Sequence, residues 1–316
     1  METNKWKNPY KKPLISVIVP TYRCAPFIER CINSLLKQTM QNTEIIIVND
    51  ASPDNIEEVI KNAFRKELSN GKIRYIKNPV NRGPSYSRNR GASIAKGKYV
   101  LFADGDDMYL PNHIETLYKT LKSGGYDVVQ LFTKIYIDEN DKLIIHRRYP
   151  MLGRTWFILY MLNFQMTYIL ISKETFFKQG GFAEDWKFGE DFHFLTKCLR
   201  SGLKLKLLDR PTALHREHPM AWQAAQAREN NFSWIKYKEE KVIPYLERLY
   251  ENKEIGKSEI ATLIFGMIFI TPMWKWPKIF MRVIKTDPFF FLKCPESWYY
   301  TLLAIYKTLR RKIKGI

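Results

Sequence analysis

Asp104, Asp106 and Asp107 place three carboxylates within four positions, directly behind the apolar run at residues 99–103. Carboxylates this close raise one another's pKa unless a cation or a set of donors compensates. The spacing therefore leaves two readings open: a solvated Asp/Gly turn after a strand, or a place that holds a cation. Glu190 and Asp191 form a second acidic pair at the start of a helical pattern, where acids also favour the helix dipole without any further role. His215 and His218 flank Arg216 in "ALHREHP", a basic cluster that suits either a surface loop or a ligand contact near neutral pH.

The chain that carries these groups has 316 residues and a formal net charge of +19, with 45% hydrophobic and 14% aromatic residues, enough to bury a sizeable core. Cys24, Cys31, Cys198 and Cys294 show no CxxC pair and no metal-ligand spacing. They read as reduced, buried thiols of a cytosolic protein. The polar, basic N-terminus has no apolar core of a secretory signal, and the longest apolar stretch, residues 260–274, is too short to span a bilayer and contains Pro272.

From residue 14 the sequence alternates short apolar runs with helical patterns. "LISVIVP", "EIIIVND", "KIRYIKN" and "KYVLFA" read as strands, and "APFIERCINSLLKQ" puts Phe27, Ile28, Cys31, Ile32, Leu35 and Leu36 on one helical face. A helix is expected in "SPDNIEEVIKNAFRKEL" with Ser52 as its cap and Pro53 at its first position, and another in "SYSRNRGASIAKG". Such alternation implies a parallel sheet covered on both faces. Asp50 ends the second strand and Asp104 the fourth, at the carboxyl edge where these sheets bind ligands. Further elements are expected: a helix from Pro111, a strand over "YDVVQLF", a strand pair turning near Asn140, and a helix through "GEDFHFLTKCLRSG". There is no GxGxxG, so a dinucleotide fingerprint is absent.

The segments "SVIVPTYRCAPFIERCINSLLKQT", "EIIIVNDASPD", "NRGPSYSRNRG", "YVLFADGDDMYLP", "GGFAEDWKFGEDFHFLTKCLRSG" and "HREH" occur in one order across residues 13–220. In that order they resemble the family 2 glycosyltransferases, inverting enzymes with the GT-A nucleotide-sugar fold. The resemblance implies an α/β architecture, a Rossmann-like, mixed but mainly parallel sheet between helices. It divides the chain into an N-terminal extension (1–12), a catalytic domain (13–225) and a helical, basic and aromatic C-terminal extension (226–316).

The resemblance also implies roles. Asp106 would bind Mn²⁺ or Mg²⁺, and Asp104 would orient the donor sugar, its ribose or metal-bound water. Asp107 would cap the helix before Pro111 or join the metal. Pro20, Thr21 and Tyr22 would line the base pocket, and Asp50 would accept from the base imide, which suits uracil and makes UDP the preferred carrier. Arg88 would pair with diphosphate oxygens, while Arg82 remains a solvated loop charge. Asp191 would be the general base and Glu190 would orient it or the acceptor. "HREH" resembles the family's Tyr-Arg-x-His pattern, with His215 in place of the tyrosine and Ala221 in place of a later serine. Within it His218 would touch metal or diphosphate, and Arg216 diphosphate or acceptor. Trp222 would stack on an acceptor sugar.

The expected partners are a nucleotide-sugar donor and a saccharide or lipid-linked acceptor of surface-polysaccharide or lipopolysaccharide synthesis. From residue 260 onward ten Lys/Arg stand against two acids, interleaved with aromatics. That composition points to peripheral docking on the cytoplasmic face of a membrane, against the alternative of a helical appendage with a solvated basic face. Two competing readings of the whole chain are a non-catalytic transferase-fold scaffold and a basic nucleic-acid-binding protein. The second leaves the acids at successive strand ends unexplained, and no nucleic-acid partner is expected.

Overall fold

A computed structural model describes residues 12–131, 135–144, 168–186, 189–218, 238–253 and 276–293, with 261, 265 and 301. The chain divides into two compact units, residues 1–147 with 165–221, and residues 148–164 with 222–316.

The first unit is built on a seven-stranded sheet. Strands β1 (Ile15–Thr21), β2 (Thr43–Asn49), β3 (Ile73–Lys77) and β4 (Tyr99–Phe102) lie parallel, in the spatial order β4-β1-β2-β3. All of β2 and β4 is buried, as continuous apolar runs in a covered parallel sheet must be. Pro20 sits at the end of β1, beyond Ile18, where pairing with β4 stops, so its missing donor falls outside the two-sided part of the sheet. Further out lie β6 (Val128–Leu131), β9 (Ile169–Ser172) and β10 (Leu205–Leu208). The sheet is not wholly parallel as the alternation alone suggests. Strand β9 inserts between β4 and β6 antiparallel to both, which gives the mixed, mainly parallel sheet that the resemblance implies. A smaller sheet, ordered β5-β11-β7-β8, joins β5 (Met108–Tyr109), β7 (Ile135–Ile137), β8 (Leu143–Ile144) and β11 (Ala213–Arg216).

Helix α1 (Ala25–Leu36) buries Phe27, Ile28, Cys31, Ile32 and Leu35, the face its spacing predicts, and the Asp54 carboxylate accepts from the backbone N–H of Ala25 at its start. The expected cap of the next helix is different. Helix α2 (Ile56–Ala63) has Asn55 in the cap position. The Ser52 hydroxyl accepts from Arg23 N–H and donates to Asp54, so it ties two loops together and does not open a helix. After α3 (Arg65–Ser69) come α4 (Pro84–Ile94), α5 (His113–Ser123), α6 (Lys173–Lys178) and α7 (Glu190–Arg200). Gly91 of α4 is where that helix meets the sheet: a Cβ there would stand 2.4 Å from Ile18 Cγ2. Cys24, Cys31 and Cys198 are free and buried, and Cys294 lies outside the described residues.

His113, at the start of α5, is fully buried and bonds Thr212 Oγ1 through Nδ1 at 2.9 Å. Burial pushes its pKa down to about 3. The unfolded chain takes up this proton below about pH 6.5 while the folded chain stays neutral, so stability falls with pH across the window from 6.5 toward 3. Between pH 7 and pH 5 the native chain should lose about 2 kcal/mol more stability than His113→Gln in chemical denaturation. Equal losses would show that His113 is not the group that titrates.

The second unit has its own core. A π-helical turn (Lys238–Val242) runs into α8 (Ile243–Glu251), and α9 (Trp276–Thr286) is followed by α10 (Phe290–Lys293). Phe265 is buried with its ring centroid 5.9, 5.5 and 5.7 Å from those of Phe280, Phe290 and Phe291. These four rings therefore pack on each other, and the composition argument that placed all the aromatics at a lipid surface does not hold for them. Among the described residues no helix is long and apolar enough to cross a membrane.

Candidate active site

The carboxyl ends of β1, β2 and β4 deliver Thr21, Asp50 and Asp104 to one edge of the sheet. Asp50 N–H donates to Thr21 O, which locks the first two ends side by side. The buried Asp50 carboxylate accepts from Asn78 Nδ2 at 2.6 Å, from Arg82 N–H at 3.1 Å and from Gly83 N–H at 2.7 Å. Three donors leave room for a fourth on a group with about four lone-pair sites. Gly83 (φ 87) supplies the left-handed turn that brings these amides round before α4. Pro20 and Tyr22 are half-buried on either side of Thr21, and the Arg23 guanidinium lies 5.3 Å from the Tyr22 ring centroid.

The acidic loop follows β4. Asp104 Oδ1 accepts from Arg88 Nη2 at 3.0 Å, and Arg88 Nη1 donates to Glu190 Oε1 at 2.7 Å. One buried guanidinium thus ties the end of β4 to the first turn of α7. Burial works against this charge, yet Asp104, Glu190 and Asp191 outweigh it and raise the Arg88 pKa further. Burial pushes the Asp104 carboxyl up to about 6; Arg88 works against the rise, while Asp107 and Asp106 add to it. Asp191 accepts a 2.7 Å bond from Phe192 N–H through Oδ1. Gly189, at φ 67, starts this helix in a conformation that glycine adopts without strain. The next residue of α4, Asn89, clamps the loop before α7: its side-chain amide donates to Phe182 O at 2.8 Å and accepts from Phe182 N–H at 3.0 Å.

Asp106 Oδ2 stands 3.1 Å from His218 Nε2, and the imidazole packs on Phe27 with centroids 4.5 Å apart. Oxygens of Asp104, Asp106 and Asp107 all lie within 4.8 Å of one another. Mg²⁺ and Mn²⁺ prefer oxygen ligands, which the part-exposed Asp104 and Asp106 supply, and His218 is held beside them by its hydrogen bond to Asp106. The residues present fit a divalent cation.

Asp107 is different in kind. It is fully buried, accepts from the Tyr168 hydroxyl and from Arg216 N–H (2.8 Å), and has His215 Nδ1 3.3 Å from Oδ2. Burial alone would raise its pKa, but His215, the Tyr168 hydroxyl and the Arg216 amide hold the carboxyl below its ordinary value. It does not cap α5, whose cap position is Asn112. It pins β11 to the acidic loop and so brings His218 to Asp106.

Arg216, to which the resemblance gives a diphosphate or acceptor contact, is bonded within the protein. It is 1% exposed, donates from Nε to Asp106 O and from Nη1 to Asp138 O at 2.8 Å each, and has Nη2 2.5 Å from Asp141 Oδ1. It braces the loop from behind, and no face of it is open to a ligand. Trp222 lies outside the described residues. Sequence reasoning missed Asn78, Asn89, Gly105 and Tyr168. A Cβ on Gly105 would sit 2.9 Å from Thr21 Cγ2 and 3.2 Å from Pro20 O, so only glycine lets the acidic loop pass this close to the end of β1. The one signal for Gly105 was its place between two aspartates.

Carboxylates at three loop ends, one bridging arginine and a paired Asp–His gather at the carboxyl edge of the sheet, an arrangement suited to a cation and a phosphorylated ligand. The model of glycosyl transferase family 2 matches residues 16–184, more than half of the chain. The chain belongs to glycosyl transferase family 2. Within the family it is 31% identical over 221 residues to the uncharacterised glycosyltransferase EpsJ of Bacillus subtilis, a match covering 66% of this chain and 62% of that relative. The chain therefore spans about three fifths of that relative's length. The family's GT-A fold is shared with solved structures. S. aureus TarS 1-349 in complex with UDP-GlcNAc has a TM-score of 0.62 at 17% identity, covering 96% of this chain and 92% of that one. The mannosyltransferase PcManGT of Pyrobaculum calidifontis in complex with GDP-Man and Mn²⁺ has a TM-score of 0.54 at 16% identity, covering 97% and 79%. At these identities the likeness concerns the fold alone.

Proposed function

We propose that this family 2 chain is an inverting, metal-dependent glycosyltransferase that moves a sugar from a UDP-sugar to a hydroxyl of a saccharide or lipid-linked acceptor. The observation that carries the reading is the Arg88 bridge. It gathers Asp104, Glu190 and Asp191 round one guanidinium beside the Asp106–His218 pair. Asp104, Asp106 and His218 would hold Mn²⁺ or Mg²⁺, which neutralises charge developing on the leaving diphosphate. Arg88 has a buried Nε with no partner among the described residues, a donor left for a diphosphate oxygen. Asp50, with room for one more donor, would take the imide N–H of uracil, and Pro20, Thr21 and Tyr22 would wall the base.

In the transfer itself Asp191 accepts the proton of the acceptor hydroxyl as its oxygen bonds to the anomeric carbon. The bond from that carbon to the diphosphate breaks on the opposite face, and Glu190, held by Arg88, orients the base. The setting we favour is surface-polysaccharide or lipopolysaccharide assembly, with the chain cytoplasmic and peripheral on the membrane through its basic C-terminal part. A screen of nucleotide sugars for thermal stabilisation with Mn²⁺, followed by UDP release in the presence of saccharide acceptors, is the test. One UDP-sugar should stabilise the chain in a metal-dependent way and release UDP on transfer. Stabilisation without any release would favour the scaffold reading, and no response to any nucleotide sugar would end the proposal.

A further inference from the structure

The second unit presents a surface that the transfer chemistry does not use. In α9, Trp276 and Val283 are buried, and Ile279 and Phe280 are half-buried on the same side. The opposite side carries Met281 (54% exposed) and Ile284 (41%), and beside them Lys278 and Lys285, also exposed. At 100° per residue Lys278, Met281 and Lys285 fall within one narrow sector, with Ile284 on its flank. The chain then turns through Pro288 to Phe289 (62% exposed) and Leu292 (80%). Four large apolar side chains thus stand in solvent along 12 consecutive positions, whereas the other exposed large apolar side chains among the described residues, Val80, Leu143 and Phe177, stand far apart in sequence.

The charges on this stretch are one-sided. Its single acid, Asp287, is buried and accepts from Phe289 N–H at 3.1 Å. Arg282 is paired with Glu247 of α8. Lys278 and Lys285 remain as the outward charges among the described side chains. Protein interfaces deplete lysine beside their apolar centres, whereas segments lying in a bilayer interface set apolar side chains at the acyl boundary with lysines at headgroup level. The charge pattern therefore complements an anionic lipid surface better than a protein partner.

We propose that α9 and the turn after it form a lipid-docking face, with Met281, Ile284, Phe289 and Leu292 entering the acyl boundary and Lys278 and Lys285 meeting anionic headgroups. This rests on the peripheral-membrane part of the proposed function and names the surface responsible; it does not depend on the identity of the donor or the base. The electrostatic part is screened by salt, and the apolar part is not.

The test is cosedimentation of the full chain with vesicles of phosphatidylcholine alone and of phosphatidylcholine with phosphatidylglycerol. Three forms are compared: native, a quadruple serine variant (Met281→Ser, Ile284→Ser, Phe289→Ser, Leu292→Ser) and a charge-reversed variant (Lys278→Glu, Lys285→Glu). All six positions are exposed, so circular dichroism and donor-induced thermal stabilisation should match the native chain in both variants. The native chain should bind anionic vesicles and lose binding as salt rises; each variant should bind at least ten-fold more weakly. Equal binding by all three forms would overturn this surface while leaving peripheral association standing. No binding by the native chain at low salt would overturn both. Loss of a concentration-dependent dimer in the serine variant, with vesicle binding unchanged, would assign the face to a second copy of the chain and refute the lipid reading.

Discussion

Asp106→Asn should lose nearly all transfer activity, on the order of 10²-fold or more, while the fold survives. The side chain is 28% exposed and contributes nothing to the core. The brace from Arg216 reaches the Asp106 backbone carbonyl, so the amide leaves it untouched. Asparagine keeps the size and one acceptor oxygen, and removes the negative charge that would hold a divalent cation beside His218. Transfer rates measured across a Mn²⁺ series, with Mn²⁺ binding followed by magnetic resonance and folding by circular dichroism, read out both halves of the claim. Binding of Mn²⁺ should weaken in the variant even without donor present. Native-like turnover by Asp106→Asn without added metal would remove the metal from the mechanism.

How much of this was legible in the sequence depends on whether a signal is local. Strands β1, β2 and β4 announce themselves because both faces are covered and every position can be apolar. Helix α1 does so because its buried face recurs at 3.6 residues. The ends of β2 and β4 then place Asp50 and Asp104 at the ligand edge by topology alone. Strand β9 is just as apolar, yet nothing within "ILIS" tells that it enters between β4 and β6 with reversed direction; that is settled by partners 70 and 40 residues away. The start of α2 was misplaced because the Ser52 hydroxyl finds Arg23 N–H, a tertiary partner that competes with capping.

The same distinction separates Asp106 from Asp107. Adjacent in sequence and identical in type, they differ because Asp107 turns inward to Tyr168, His215 and the Arg216 amide, none of which is a sequence neighbour. Arg216 reads as a surface cation until two backbone carbonyls and Asp141 surround it. A buried charge is tolerated only where distant groups converge on it, and convergence is what a linear pattern does not record.

Asp191→Asn separates binding from chemistry. Asp191 lies at the second position of α7 and is 9% exposed, and Asn would keep both its volume and the acceptor oxygen that Phe192 N–H uses. The lost charge costs some favourable interaction with the helix dipole, about 0.3–1 kcal/mol, so the variant should stay folded at working temperature. Arg88 retains Asp104 and Glu190 as its direct partners, and the Asp106–His218 pair is untouched, so donor affinity should hold within about two-fold. What disappears is a group able to take the proton of the attacking hydroxyl. The chemical step should slow on the order of 10² to 10⁴-fold, with the loss in kcat and not in the donor Kd. Single-turnover transfer and donor binding by calorimetry, measured on the same preparation, report the two quantities separately. A variant with native kcat and a much weaker donor Kd would reassign Asp191 to holding the donor, and the base would then have to be sought among the other groups around Arg88.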